Sequence, residues 1–275
     1  MRFRFLEVVL GGILSLAAPA RGAAQVTLAL PPRAATALAG DALAAAVTDL
    51  PRPDREARIV AEVLGGNVPS WWRELAPVTM TRAVSDHEAR VTFWATPDYL
   101  ALGSDDDWFL MPLSPGAAQR IADATRTSLP TPPMVDAIWS GAAVRIGPDS
   151  IAPSAAMITV PVFADHMRMI RARRAALAGP HDLTAGHKKD VVLSARLDTL
   201  PDRVAIYGWH RPDGTPIQPL WTGHTVDHVD YSHGIRLVWH EVTIDGVVHE
   251  ITDVLRDPAL AAALSDEGPL RRARY

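Results

Sequence analysis

Apolar positions in the first 180 or so residues recur mostly at helical spacing, while beyond them β-branched and aromatic residues alternate with polar ones. The helical part opens with Asp41 as N-cap of ALAAAVTDL, which Pro51-Arg52-Pro53 stops. Asp54 caps REARIVAEVLGG, where Ile59 and Val63, with Val60 and Leu64, form an apolar stripe that Gly65-Gly66 closes. Trp71 and Trp72 fall on a short turn or helix capped by Ser70. Ser114-Pro115 starts a helix with Ala118, Ile121 and Ala122 on its apolar face, and Pro132 to Ser140 forms another. Phe163 to Leu177 is a helix with an arginine-rich outer face, closed by Gly179-Pro180.

Two stretches of this half predict strands. Ala89 to Ala95 alternates, with Val91 and Phe93 on one face and Thr92 and Trp94 on the other. Ala155 to Phe163 reads as a buried strand whose end Pro161 pushes to a sheet edge. Between them, Asp105-Asp106-Asp107 reads as a solvated acidic turn, because calcium loops alternate ligands with spacers.

The C-terminal third predicts two hairpins. Pro212-Asp213-Gly214 turns VAIYGWH back on TPIQPLW, with Arg211 facing Thr215 and His210 facing Pro216. Asp245-Gly246 makes a two-residue turn that pairs Ile244 with Val247 and Val242 with His249. A helix from Pro258 to Leu264 and a basic tail complete the chain. The pattern implies an α+β fold, a helical N-terminal half packed on a mainly antiparallel sheet built from C-terminal hairpins. Residues 25–275 are expected to form one domain, with a sub-boundary near 179 as the alternative.

The N-terminus changes the picture of where the protein works. Arg2 and Arg4 precede an apolar run from Phe5 to Ala18, broken by Glu7, and Ala18-Pro19-Ala20 has the small-x-small form of a cleavage site. Residues 1–24 are therefore expected to be a signal peptide that is removed, which points to a periplasmic or secreted protein. No other segment approaches the ~18 apolar residues that cross a bilayer, so no stable span is expected after processing. The net charge of −4 and the pI near 6.2 give no electrostatic case for nucleic acid. The absence of cysteine excludes disulfides, thiolate metal sites and cysteine nucleophiles. A metal, zinc being the natural one, would have to rest on His, Asp or Glu ligands.

Eight of the 10 histidines lie between His181 and His249, which concentrates groups that titrate near neutrality and bind metals. The candidate catalytic or metal-ligating residues are His187, Asp190, His210, His224, Asp230, Ser232 and His233. His224 and His228 have the H-x3-H spacing, but Thr222, Thr225, Val226 and Val229 argue against a helix. On an extended strand two such residues stand roughly 13 Å apart, too far to share an ion. Ser232 is a candidate nucleophile that would need a histidine base from another element, and there is no G-x-S-x-G elbow. Asp190, Asp227, Asp230 and Glu241 could supply a carboxylate pair for glycoside hydrolysis. Lys188, Trp209, Trp221, Tyr231 and Arg236 are the substrate-binding candidates, as cations and ring surfaces.

The expectation is an exported hydrolase acting on a cell-envelope or extracellular polymer, peptidoglycan or polysaccharide, through this His/Asp/Ser cluster. The alternative is a non-catalytic ligand-binding or assembly module with a tryptophan-lined surface. The partner in either case is a polymeric or small-molecule ligand of the cell envelope.

Overall fold

The computed structural model describes residues 25–177 and 182–275, so the expected signal peptide and the helix stop at Gly179-Pro180 lie outside the described residues. The chain opens with strand β1 (Val26–Thr27), helices α1 (Gly40–Val47) and α2 (Arg52–Leu64), and a 3-10 turn, Ser70–Arg73, that carries Trp71 and Trp72. A long hairpin comes next, β2 (Glu74–Val84) and β3 (His87–Ala95), then a short one, β4 (Ala101–Gly103) and β5 (Trp108–Leu110). After these lie α3 (Pro115–Thr125), β6 (Thr127–Ser128), α4 (Pro132–Gly141), β7 (Val144–Arg145) and α5 (Val160–Ala175). The last part holds β8 (Thr184–Ala185), β9 (Lys189–Val191), β10 (Ile206–His210) and β11 (Pro216–Trp221). It ends with β12 (His233–Gly234), β13 (Val238–Ile244), β14 (Val247–Glu250) and α6 (Ile251–Arg256).

The fold is mixed, six α-helices with largely antiparallel sheets among the described residues. One sheet runs β1-β2-β3-β13-β14 with β6 beside β13, and a second runs β11-β10-β9-β12. The larger sheet therefore draws its longest strands from the N-terminal half, which departs from a sheet made of C-terminal hairpins. Strand β2 carries Pro77, which masks it in the sequence. It is tolerated because β1 pairs only with Leu75 and Glu74, leaving β2 an edge strand from Ala76 onward.

Both C-terminal hairpins form in the expected register, His210 opposite Pro216 and Ile244 opposite Val247, with Val242 opposite His249. Their turns explain why: Gly214, Asp245 and Gly246 all have positive φ, as those turn types demand. Two expectations fail. Residues 155–163 are not a strand but a 3-10 turn leading into α5, because Pro161 sits in the first helical turn, where a missing N–H costs nothing. Val160, Phe163, Met167 and Ile170 then form its buried stripe. The α-helix expected at 258–264 lies instead at Ile251–Arg256, and only Ala261–Ala263 coils further on, as a 3-10 turn.

Capping differs in detail. Asp41 and Asp54 lie inside their helices' first turns, whereas Ser114 caps α3 as expected and accepts from Ala117 N at 3.4 Å. Ser70 does not cap its turn; its hydroxyl donates to Asp105 at 2.8 Å. Asp105 and Asp106 are exposed, as a solvated acidic turn implies, and Asp107 accepts from the Asp41 amide.

The main apolar core extends from Leu28 to Ala273 and includes Trp71, Trp72, Phe93, Phe109 and Phe163. Trp72 also steadies a loop that reaches the polar interior. Its indole N–H donates to the carbonyls of Asp98 (3.2 Å) and Tyr99 (3.1 Å), fixing the loop after β3 against the core. Among the described residues no helix is long and apolar enough to cross a membrane.

Candidate metal centre

Strands β9 and β12 run parallel, with His233 opposite Lys189 and Gly234 opposite Asp190. Only glycine permits this approach: a Cβ at 234 would stand 2.5 Å from Tyr99 Cδ1 and 2.7 Å from Lys188 Cβ. The pairing brings the histidine-rich loop of residues 222–233 against the His187-Lys188-Lys189-Asp190 segment. The candidate residues then separate into an interior set and a set around the half-exposed His228.

The interior set is His187, Lys188, Asp190, Tyr231 and Arg236, all buried. His187 Nε2 lies 3.1 Å from Asp98, whose other oxygen lies 3.1 Å from Arg174. Burial alone would raise the Asp98 carboxyl, but His187 and Arg174 outweigh it and hold it at about 2. Burial also lowers His187, so the permanent guanidinium of Arg174 is the cation that balances Asp98. Asp190 accepts from Tyr99 OH at 2.7 Å and lies 3.9 Å from Arg236 Nε; burial dominates and raises it to about 6. Arg236 donates to the carbonyls of Thr96 and Thr184, each at 2.7 Å, and lies over the Tyr99 ring at 4.3 Å.

Lys188 donates to His166 Nδ1 at 3.1 Å and to the Tyr231 carbonyl, and burial lowers it to about 7. His166 donates from Nε2 to the Asp149 carbonyl at 3.1 Å, and burial first and Lys188 second lower it to about 2. Tyr231 spends its hydroxyl as acceptor for the Ile151 amide at 2.8 Å. These side chains tie loops together.

Three more candidates sit apart. His210 bonds to Asp136 at 2.8 Å and stacks on Trp139, with Tyr207 OH on the same carboxylate at 2.9 Å. Trp209 holds φ of 58°, a strained left-handed conformation for a bulky residue, beside a register shift in the β10–β11 pairing. The bulge turns its ring beneath the Lys189 ammonium, 4.9 Å away. Trp221 is exposed on β11, the lone exposed tryptophan among the eight in the chain.

The set around His228 is different in kind. His228, Asp230 and His233 present one donor atom each within 4.8 Å of one another. Asp230 Oδ2 lies 3.4 Å from His228 Nε2 and 3.9 Å from His233 Nε2. Ligands of a tetrahedral zinc ion at 2.0–2.1 Å stand roughly 3.3 Å apart, so the three atoms need only a small contraction to share one ion. Asp230 is aimed by its neighbour: its Oδ1 accepts from Ser232 N (2.7 Å) and Ser232 Oγ (2.5 Å), which leaves Oδ2 for the imidazoles. Burial would raise Asp230, yet His228, His233 and Ser232 hold it well below the usual carboxylate range.

His233 is fully enclosed, and neither ring nitrogen has a hydrogen-bond partner. Burial lowers it to about 4, so it is a neutral imidazole with a free lone pair. Buried polar atoms are almost always satisfied, and an orphaned pair of nitrogens calls for an explanation such as an ion. The ring of His224 stacks on His228 at 4.0 Å between centroids. The extended strand expected over 224–228 is absent. Thr225, Val226 and Asp227 turn, with His228 N donating to Thr225 O at 3.0 Å, and bring the two rings together. His228, set aside in the sequence on strand geometry, is brought by the turn beside Asp230 and His233.

Ser232 Oγ gives its proton to Asp230, and among the described residues no imidazole is hydrogen-bonded to it. The four carboxylates do not form an opposed pair in a cleft either. Asp190 is interior, Asp227 is exposed and bonded to Arg52, and Glu241 accepts from Trp239 at 3.4 Å. Asp98, Asp136, His166 and Arg174 were missed in the sequence because isolated polar residues in helices and turns give no periodic signal. A cleft of about 470 Å³ reaches His228 from outside, lined also by Arg52, Arg55, Ile158, Thr159 and Val229. Comparison with protein-family models, curated proteins and solved structures returns no match.

Proposed function

We propose that the protein is an exported, metal-dependent hydrolase acting on a cell-envelope or extracellular polymer, peptidoglycan or polysaccharide. The observation that carries this reading is the convergence of one donor atom each from His228, Asp230 and His233 within 4.8 Å, with neither ring nitrogen of buried His233 hydrogen-bonded. Two imidazoles and a carboxylate suit zinc, and three protein ligands with a fourth position open is the pattern of catalytic rather than structural sites. Such an ion supplies Lewis-acid polarisation and lowers the pKa of a coordinated water toward neutrality.

The chain's own residues do the rest. Ser232 orients Asp230, His224 stacks on His228 and fixes that ring's plane, and the cleft beside His228 admits substrate. Export rests on the leader-like pattern of residues 1–24, and the polymer class is inferred from that compartment. A tryptophan-lined binding surface has less to stand on, because Trp221 is the lone exposed tryptophan.

The test is product release from purified peptidoglycan and from polysaccharide, read by mass spectrometry. Turnover is expected to stop with EDTA, return with zinc, and be lost in His233→Ala. Turnover that ignores both chelator and substitution would overturn the metal, and no turnover on any polymer would overturn the hydrolase.

A further inference from the structure

The cleft that reaches His228 contains a cation with nothing to hold. Arg55 projects from the first turn of α2 and is only 7 % exposed, yet among the described residues its guanidinium makes no hydrogen bond and no ion pair. Its contact is the Phe163 ring, 5.8 Å below it. The two carboxylates nearby are engaged elsewhere. Glu56 bonds to Arg52 and to Ser114, and Asp227 bonds to Arg52 at 2.7 Å. A guanidinium largely removed from water and left without an oxygen partner is costly, and its planar fork matches a carboxylate in two parallel hydrogen bonds.

The rest of the lining describes what the anion is attached to. Ile158 and Val229 give the cleft an apolar wall, Thr225 adds a hydroxyl, and His228 closes the other side. The hydroxyls of Thr48 and Thr159 already donate to Ala44 and Ala156 carbonyls. Arg52 and Arg55 together balance Glu56 and Asp227, so the cleft holds no surplus positive charge. What Arg55 offers is an unbonded planar fork, and a site without surplus charge fits a monoanion better than a doubly charged phosphate.

We propose that this cleft is a carboxylate subsite, in which Arg55 anchors an acid group of the substrate beside an apolar moiety and presents the neighbouring bond to the His228–Asp230–His233 centre. The subsite deepens the hydrolase reading and rests on it for its purpose, though its existence is testable alone. The substrate class narrows to acyl compounds bearing a free carboxylate, such as a peptide or uronic-acid terminus, within reach of the scissile bond.

The experiment tracks the Arg55 Nε–H resonance by NMR in the full chain while N-acetylglycine, its neutral amide or inorganic phosphate is added. N-acetylglycine should move the resonance, the amide should not, and phosphate should bind more weakly. Arg55→Lys and Arg55→Met should each weaken N-acetylglycine binding about tenfold or more, with zinc content unchanged. In His233→Ala zinc should be lost while the carboxylate still binds, which separates this subsite from the metal: a wild type that binds the carboxylate but takes up no zinc would sink the hydrolase reading alone. Equal binding by Arg55→Met, or binding that vanishes with EDTA and returns with zinc, would overturn the subsite. Phosphate binding as tightly as the carboxylate would overturn its assignment to a carboxylate.

Discussion

Ser232 was a candidate nucleophile, and its geometry gives it another task. It donates to Asp230 from both backbone and hydroxyl, so Ser232→Ala removes one of two bonds that aim the carboxylate. Loss of such an orienting bond typically weakens a metal site ~10–100-fold, and competition with a chromophoric chelator should show that drop. Zinc affinity equal to wild type with all turnover lost would instead restore the nucleophile. Asp190 makes a prediction in pH. Burial raises it from 3.8 to about 6, so between these values the folded state binds the proton that the unfolded state has released. Stability should therefore fall as pH rises from about 4 to 6, by about 3 kcal/mol at most. Urea titrations at both ends of that window should show the decline in wild type and little of it in Asp190→Asn. A flat wild-type profile would mean that Arg236 and Tyr99 compensate the charge fully.

The centre exists because two short elements meet, β9 and β12, and a turn at 224–228 folds over them. Gly234→Ala puts a methyl into Tyr99 and Lys188 side chains, and overpacking of this kind costs roughly 1–3 kcal/mol. It should also loosen zinc, since His233 is the adjacent residue. Gly246→Ala is the contrast: open space surrounds it, so the cost is the strain of φ at 84°, about 1 kcal/mol, with zinc binding unaffected. Melting curves and zinc titrations of the two variants test the pair.

These elements also show what was legible. Asp245-Gly246 and Pro212-Asp213-Gly214 announced their hairpins because a turn's φ values are a local property. Asp230, Ser232, His233 and His224 were legible as a dense cluster. The joining of His228 to them was not, because a turn in a β-branched stretch is decided by packing rather than propensity. Arg236, His187 and Lys188 were legible as unusual but not as interior, since burial of a charge depends on partners such as Asp98 and His166 that arrive from distant segments.

At the scale of the whole molecule, the proposed ion would become part of the folded state. An enclosed His233 without partners is a cost to the apo chain, and binding of zinc to the folded form alone would stabilise it by about 4 kcal/mol at a thousandfold excess over Kd. The interior network of Asp98, His187, Lys188, Asp190 and Arg236 would then serve as the scaffold that holds β9 and β12 in place. Elemental analysis of the full chain, purified without chelator, beside His233→Ala and Asp230→Asn, asks directly whether that ion is there. About one equivalent of zinc is expected in the wild type and a small fraction of that in both variants. A metal-free wild type that takes up none when zinc is supplied, or variants that hold as much as the wild type, would contradict a metal centre at His228, Asp230 and His233.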